Sequence, residues 1–67
     1  MIEITVNGKS VTIPSAVTVT ELLEHLGYNQ GFVAVALNHA HVRRGDFTTT
    51  IVDRHTDVEV LAPMAGG

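Results

Sequence analysis

Cysteine is absent from this chain, which excludes a disulfide staple, a thiolate metal site and a thiol nucleophile. A chain of 67 residues without staples must hold itself together by packing. At this size folding buries only about 60% of the surface that the unfolded chain exposes, leaving little room for an enclosed catalytic pocket. The missing cysteine also fits a reducing compartment. Basic residues are scarce: Lys9, Arg43, Arg44 and Arg54 are the full set, and the formal net charge is −3. No basic stripe is available for a phosphate backbone, so nucleic acid is not an expected partner. Met1-Ile2-Glu3 runs straight into alternating residues, with neither a basic leader nor a long apolar stretch. The expectation is a cytoplasmic chain with no signal peptide and no membrane span. Repeats, linkers, a Ser-His-Asp spacing and a phosphate-binding loop are all missing.

What is present is a folded-domain composition, 45% hydrophobic and 16% charged. Ile2, Ile4 and Val6 alternate with Glu3, Thr5 and Asn7, the period of a strand with one buried face. Asn7-Gly8 suits the positive φ values of a tight hairpin turn, and Val11 and Ile13 continue the alternation until Pro14 stops it. Thr18-Val19-Thr20-Glu21 has the form of a capping box, with Val17 and Leu22 as its hydrophobic staple. Val19, Leu22, Leu23 and Leu26 form one apolar helical face, and Gly27 is the expected stop. So short a helix is marginal alone and must pack on a sheet.

Phe32 to Leu37 reads as a strand, with Val33, Val35 and Leu37 on one face and Ala34 and Ala36 on the other. Asn38-His39 is an expected turn before a short return strand, Ala40 to Val42. Arg43-Arg44-Gly45-Asp46 breaks the pattern, with Phe47 anchoring the loop in the core. Thr48 to Val52 is β-branched at nearly every position, as a strand or an extended crossover. Asp53 to Asp57 reads as a polar turn and Val58 to Leu61 as the last strand, ended by Pro63. The order predicts an α+β fold in which one helix covers one face of a mixed four- to five-stranded sheet. With the first and last strands side by side and parallel, this is the β-grasp, or ubiquitin-like, arrangement. The expected division is a body, residues 1–62, and a flexible tail, residues 63–67.

That tail, Pro63-Met64-Ala65-Gly66-Gly67, ends in two residues without side chains. At an average glycine frequency of about 7%, such a pair arises by chance in roughly one chain in two hundred. A Gly-Gly end can thread a narrow slot and lie against another protein's active site, which makes the carboxylate of Gly67 a candidate reacting group. An ordinary frayed end is the competing reading. Pro63 restricts the root of the tail and Ala65 is too small to obstruct docking. Met64 is either a soft docking contact or simply an exposed or core-edge methionine. Leu61 and Ala62, with whatever apolar surface the single helix leaves uncovered, are candidates for a partner-binding patch.

In the order and spacing of these features the chain resembles the ThiS family, the small sulfur carrier proteins of thiamin biosynthesis. The resemblance covers nearly the whole length. It is carried by the Val17 to Leu26 helix, Val33-Ala34-Val35-Ala36-Leu37-Asn38, Val42-Arg43-Arg44-Gly45-Asp46-Phe47, Asp57-Val58-Glu59-Val60 and Gly66-Gly67. Two residues depart from the family's habit: Arg43 stands where proline is common, and Phe47 where tryptophan is. The resemblance implies that the chain is not an enzyme but a protein cosubstrate. An E1-like (ThiF-type) adenylyltransferase would activate Gly67 with ATP, a cysteine-derived persulfide would supply sulfur to give a thiocarboxylate, and a thiazole synthase (ThiG-type) would accept it. Gly66, Ala65, Met64, Pro63 and Leu61 would meet those partners, and no cofactor would be bound by the chain itself. Carriers for molybdopterin or another pathway, a ubiquitin-like modifier and a β-grasp interaction module with an idle tail are the alternatives.

Other features carry less. His39 and His41 are expected on one strand face, with His25 and His55 completing the set, but no cysteine or clustered carboxylate joins them, and no metal site is expected. Arg43-Arg44 reads as a solvated loop more readily than as a phosphate contact. Lys9 is the only lysine, so chain building on the protein itself has one possible site.

Overall fold

The computed structural model describes residues 1–62, so the expected body is in view and the expected tail, 63–67, lies outside the described residues. Strands β1 (Ile2–Val6) and β2 (Lys9–Ile13) form the expected antiparallel hairpin. Its turn residues Asn7 and Gly8 have φ of 50° and 83°, the left-handed values that match a two-residue turn to strand twist. A two-residue strand β3 (Val17–Thr18) leads into helix α1 (Val19–Leu26). Strands β4 (Ala34–Leu37) and β5 (Ala40–Val42) make a second hairpin, with Asn38 and His39 in its turn at φ of 50° and 70°. After β6 (Ile51–Val52) comes β7 (Asp57–Leu61).

The main sheet has five strands in the order β2-β1-β7-β4-β5. The last strand therefore lies in the middle, parallel to β1 and antiparallel to β4. This is the expected mixed sheet, and α1 lies on one of its faces. Ile2, Ile4 and Val6 of β1, Ile13 of β2, Val35 of β4 and Val58 and Val60 of β7 point into one core with Val19, Leu22 and Leu23 of α1. Their counterparts on the strands, Glu3, Glu59, Leu61 and Ala34, are exposed.

Helix α1 is only eight residues long, and its ends are unusually well satisfied. Thr18 Oγ1 accepts from Glu21 N (3.1 Å) while Glu21 Oε1 accepts from Thr18 N (2.8 Å), the expected capping box. The N–H groups of Val19 and Thr20 donate to the carbonyls of Thr50 and Phe47, both at 3.0 Å. The loop after β5 thus supplies acceptors that the first helical turn cannot provide for itself. At the other end Gly27 takes φ 83° and donates to Glu24 O, while Tyr28 N donates to Leu23 O, the paired bonds of a Schellman motif.

Two expected strands are revised. Phe32 belongs to a 3-10 turn, Gln30–Phe32, and is 66% exposed, so the strand begins at Ala34. Asn29 sets this turn by accepting from Gly31 N through its side chain (3.0 Å). Of Thr48 to Val52 only Ile51–Val52 is strand, paired with Val17–Thr18 in a separate two-stranded sheet. Asp46 O accepts from both Thr49 N and Thr50 N, and this local turn overrides the β preference of three consecutive threonines. Phe47 anchors the loop as expected, at 3% exposure.

Because Leu23 is wholly buried under the sheet, Leu23→Ala is expected to cost about 2–5 kcal/mol. Thr18→Ala, which removes one reciprocal cap, should cost about 1 kcal/mol. Urea unfolding followed by circular dichroism measures both, and the ranking of the two losses is the checkable outcome.

Candidate functional site

Strand β7 delivers the chain to the tail. Its backbone is held by β4 through the register pairs Ala34↔Leu61, Val35↔Val60, Ala36↔Glu59 and Leu37↔Val58. Alternation along β7 buries Val58 and Val60 and turns Glu59 and Leu61 to the face that α1 does not cover. Of the sequence-predicted site residues, Leu61 is the one placed by the structure, and it is 71% exposed. Ala62 follows it, also exposed. Pro63, Met64, Ala65, Gly66 and Gly67 lie outside the described residues.

The uncovered sheet face carries a shallow groove of about 180 Å³ at this point, lined by Ala34, Val35, Ala36, His41, Glu59 and Leu61. Register explains it. Ala36 is paired with His41 on one side and with Glu59 on the other, and Ala34 with Leu61. Two methyl side chains between longer neighbours leave a trough. Its floor is apolar and one wall carries a carboxylate, which suits a partner's apolar side chain flanked by a basic group. The alternation of small and large residues in Phe32 to Leu37 was the sequence signal for this trough. Its cross-strand walls, His41 and Glu59, came from pairing that the sequence did not disclose.

Of the four histidines, His39 and His41 lie on the same face of the sheet. His39 sits in the β4–β5 turn with φ 70° and not in a strand, yet its imidazole lies against Glu59 and so reaches the same uncovered face as His41 of β5. Carboxylates do join His39: its Nδ1 lies 3.3 Å from Glu59 Oε1 and its Nε2 3.8 Å from Asp57 Oδ2. The imidazole is 79% exposed, so these pairs are screened and add little to stability. His25 lies in the last turn of α1 and His55 in the turn before β7. Among the described residues no three His, Asp or Glu side chains converge to hold a metal ion. Arg43 and Arg44 are exposed and form no ion pair among the described residues.

Two polar residues at the two ends of β7 do more than form turns. Asn7 Nδ2 donates to Val60 O (3.1 Å) and its Oδ1 accepts from Val60 N (2.8 Å). Asn38 N donates to Asp57 O (2.7 Å), and its Oδ1 accepts from Asp57 N (2.9 Å). The only sequence signal for either was an asparagine at a turn position.

Among the described residues none that is polar or charged is buried, so no side chain is sequestered in the way that acid–base or nucleophilic catalysis ordinarily requires. Likewise, no helix among them is long and apolar enough to cross a membrane. The described residues present a paired strand end beside an exposed trough with an apolar floor.

Comparison with known proteins agrees. The model of the ThiS family matches residues 2–67. A crystal structure of the thiamine biosynthesis protein ThiS from Geobacter metallireducens is 39% identical, with a TM-score of 0.85, over 98% of this chain and 100% of that one. An NMR solution structure of a thiamine biosynthesis protein from the same organism is 38% identical, also with a TM-score of 0.85, over 98% of this chain and 88% of that one. Among curated proteins there is no significant match. With the five-stranded β-grasp sheet, its single covering helix and a family match over nearly its whole length, the chain belongs to the ThiS family, the small non-catalytic sulfur carriers of thiamine biosynthesis.

Proposed function

We propose that the carboxylate of Gly67 is the group on which this carrier holds sulfur. A carboxylate is a poor electrophile, since its charge is delocalised and an oxide would have to leave. An E1-like (ThiF-type) adenylyltransferase removes that obstacle by joining Gly67 to the AMP portion of ATP, with pyrophosphate released. A sulfur atom from a cysteine-derived persulfide then displaces AMP, and thiol cleavage of the resulting S–S bond leaves a C-terminal thiocarboxylate. A thiazole synthase (ThiG-type) is the acceptor. One difficult substitution becomes several easier ones, and the catalytic groups belong to the partners. ATP is consumed by the activating partner, and this chain binds no cofactor.

The observation that carries this reading is the family match running to Gly67, with Gly66-Gly67 as its last two positions. Strand β7 contributes a rooted starting point, because β4 pairs with it up to Leu61 on one side and the Asn7 side chain holds Val60 on the other. From Pro63 onward, about five residues at roughly 3.3 Å each can reach some 16 Å from the body, enough to enter a partner's cleft. In that arrangement residues 63–67 are the arm that enters the partner, with Pro63, Met64, Ala65 and Gly66 passing through the cleft. Leu61 and the neighbouring trough are the docking surface.

Incubation with ATP, a sulfide source and the cognate activating enzyme, followed by intact-mass spectrometry, is expected to show one oxygen replaced by sulfur at Gly67. An unchanged mass with an enzyme proven active would refute the reading. Deleting Gly66 and Gly67 should abolish the mass change while leaving the circular dichroism spectrum and the unfolding midpoint as they were. Leu61→Ser should change stability by no more than about 0.5 kcal/mol, given the exposure of this side chain. The same substitution should raise the KM of the activating enzyme for the carrier by about fivefold or more.

A further inference from the structure

Asn7 makes two bonds that a turn residue does not need. The backbone ladder between β1 and β7 runs from Thr5 N donating to Thr56 O (3.0 Å) to Asn7 N donating to Val58 O (2.8 Å). There the Asn7-Gly8 turn carries the chain away, and β1 has no further residue to offer β7. Val60, the next residue of β7 whose N–H and C=O point to that side, is 4% exposed. Left bare, both groups would carry a desolvation penalty. The side-chain amide of Asn7 substitutes for the missing strand residue, presenting one acceptor and one donor to Val60 across 53 positions of sequence.

Asn38 does the matching job at the opposite corner, where β4 runs out beside Asp57. Both asparagines have φ 50° and both sit in hairpin turns. They differ in what they are next to. Asn38 holds the start of β7, whereas Asn7 holds its end, one residue before Leu61 and three before Pro63.

We propose that Asn7 is a positioning residue for the carrier's terminal carbonyl. By gripping Val60 from the β1 side, while β4 grips the same strand from the other, it fixes the point and direction in which the chain leaves the sheet. Docking on the activating enzyme then need not order the strand end. This rests on the reading of Gly67 as the sulfur-accepting group.

The test compares Asn7→Gly with Asn38→Gly. Glycine accepts φ 50° at either site and each variant gains the same freedom when unfolded. Asn7→Gly loses two partly buried side-chain bonds and Asn38→Gly one exposed bond, so Asn7→Gly should be the less stable. Both are assayed where circular dichroism shows each fully folded. Steady-state adenylation by the cognate activating enzyme should separate them. Asn7→Gly is expected to lower kcat/KM by about three- to tenfold, the effect of ordering one or two loosened residues on docking, while amide exchange at Val60 accelerates. Asn38→Gly should keep the kcat/KM of the unsubstituted carrier. Asn7→Asp retains the acceptor for Val60 N and loses the donor to Val60 O, so it should fall in between; it also serves if the glycine variant does not fold. Equal kcat/KM for the two glycine variants, or an aspartate variant indistinguishable from the unsubstituted carrier, would overturn the proposal. If the unsubstituted carrier itself is not adenylated, the reading of Gly67 fails and the proposal falls with it, a result told apart by its appearing in every protein tested.

Discussion

The structure depends on keeping every backbone group of β7 paired. This strand is the centre of the sheet, between β1 and β4, and an unpaired N–H or C=O there would be cut off from water. Neither neighbour is long enough to pair with it from end to end. β4 is in register from Leu61 back to Val58, and β1 covers the opposite stretch from Asp57. Each neighbour turns back on itself through an asparagine, and each asparagine adds the bonds that its own strand lacks. A hairpin turn is thereby made to serve twice, once for reversal and once for pairing with a third strand.

The second dependency runs between α1 and the loop after β5. The helix is too short to persist by itself, and its buried face, Val19, Leu22 and Leu23, is sealed by the sheet. Its first N–H groups, however, are met by Thr50 O and Phe47 O, with Phe47 itself driven into the core. Loop and helix therefore support each other. The short pairing of β3 with β6 belongs to the same junction, since Val17↔Val52 and Thr18↔Ile51 bring the two chain segments together just before the helix starts.

Much of this was legible in the residues. The Asn7-Gly8 hairpin, the reciprocal cap of Thr18 and Glu21, the stop at Gly27 and the burial of Phe47 each follow from local chemistry that few alternatives satisfy. What escaped was non-local. Val17 and Thr18 look like a helix lead-in, and only their meeting with Ile51 and Val52 makes them a strand. Phe32 extends an apolar run, yet Asn29, three residues earlier, sets a turn that keeps Phe32 out of the strand, and the ring ends up in solvent. The groove shows both sides. Its alanine floor is written in the alternation of Ala34 and Ala36, whereas its walls depend on which residues of β5 and β7 lie opposite. A turn at φ 70° takes His39 out of the strand, while its contact with Glu59 keeps the imidazole on the face that His41 shares.

The sheet order has a consequence for biosynthesis. The two hairpins, β2-β1 and β4-β5, are joined only by β7, which is made after both. An isolated hairpin is marginal in water, so a ribosome-bound chain that has not yet emitted residues 57–61 holds two unconnected halves. Assembly of the sheet must wait until the stretch just upstream of Gly66-Gly67 has emerged. A molecule in which that stretch is damaged or missing would lack the strand that joins its two hairpins and would be left open to proteases.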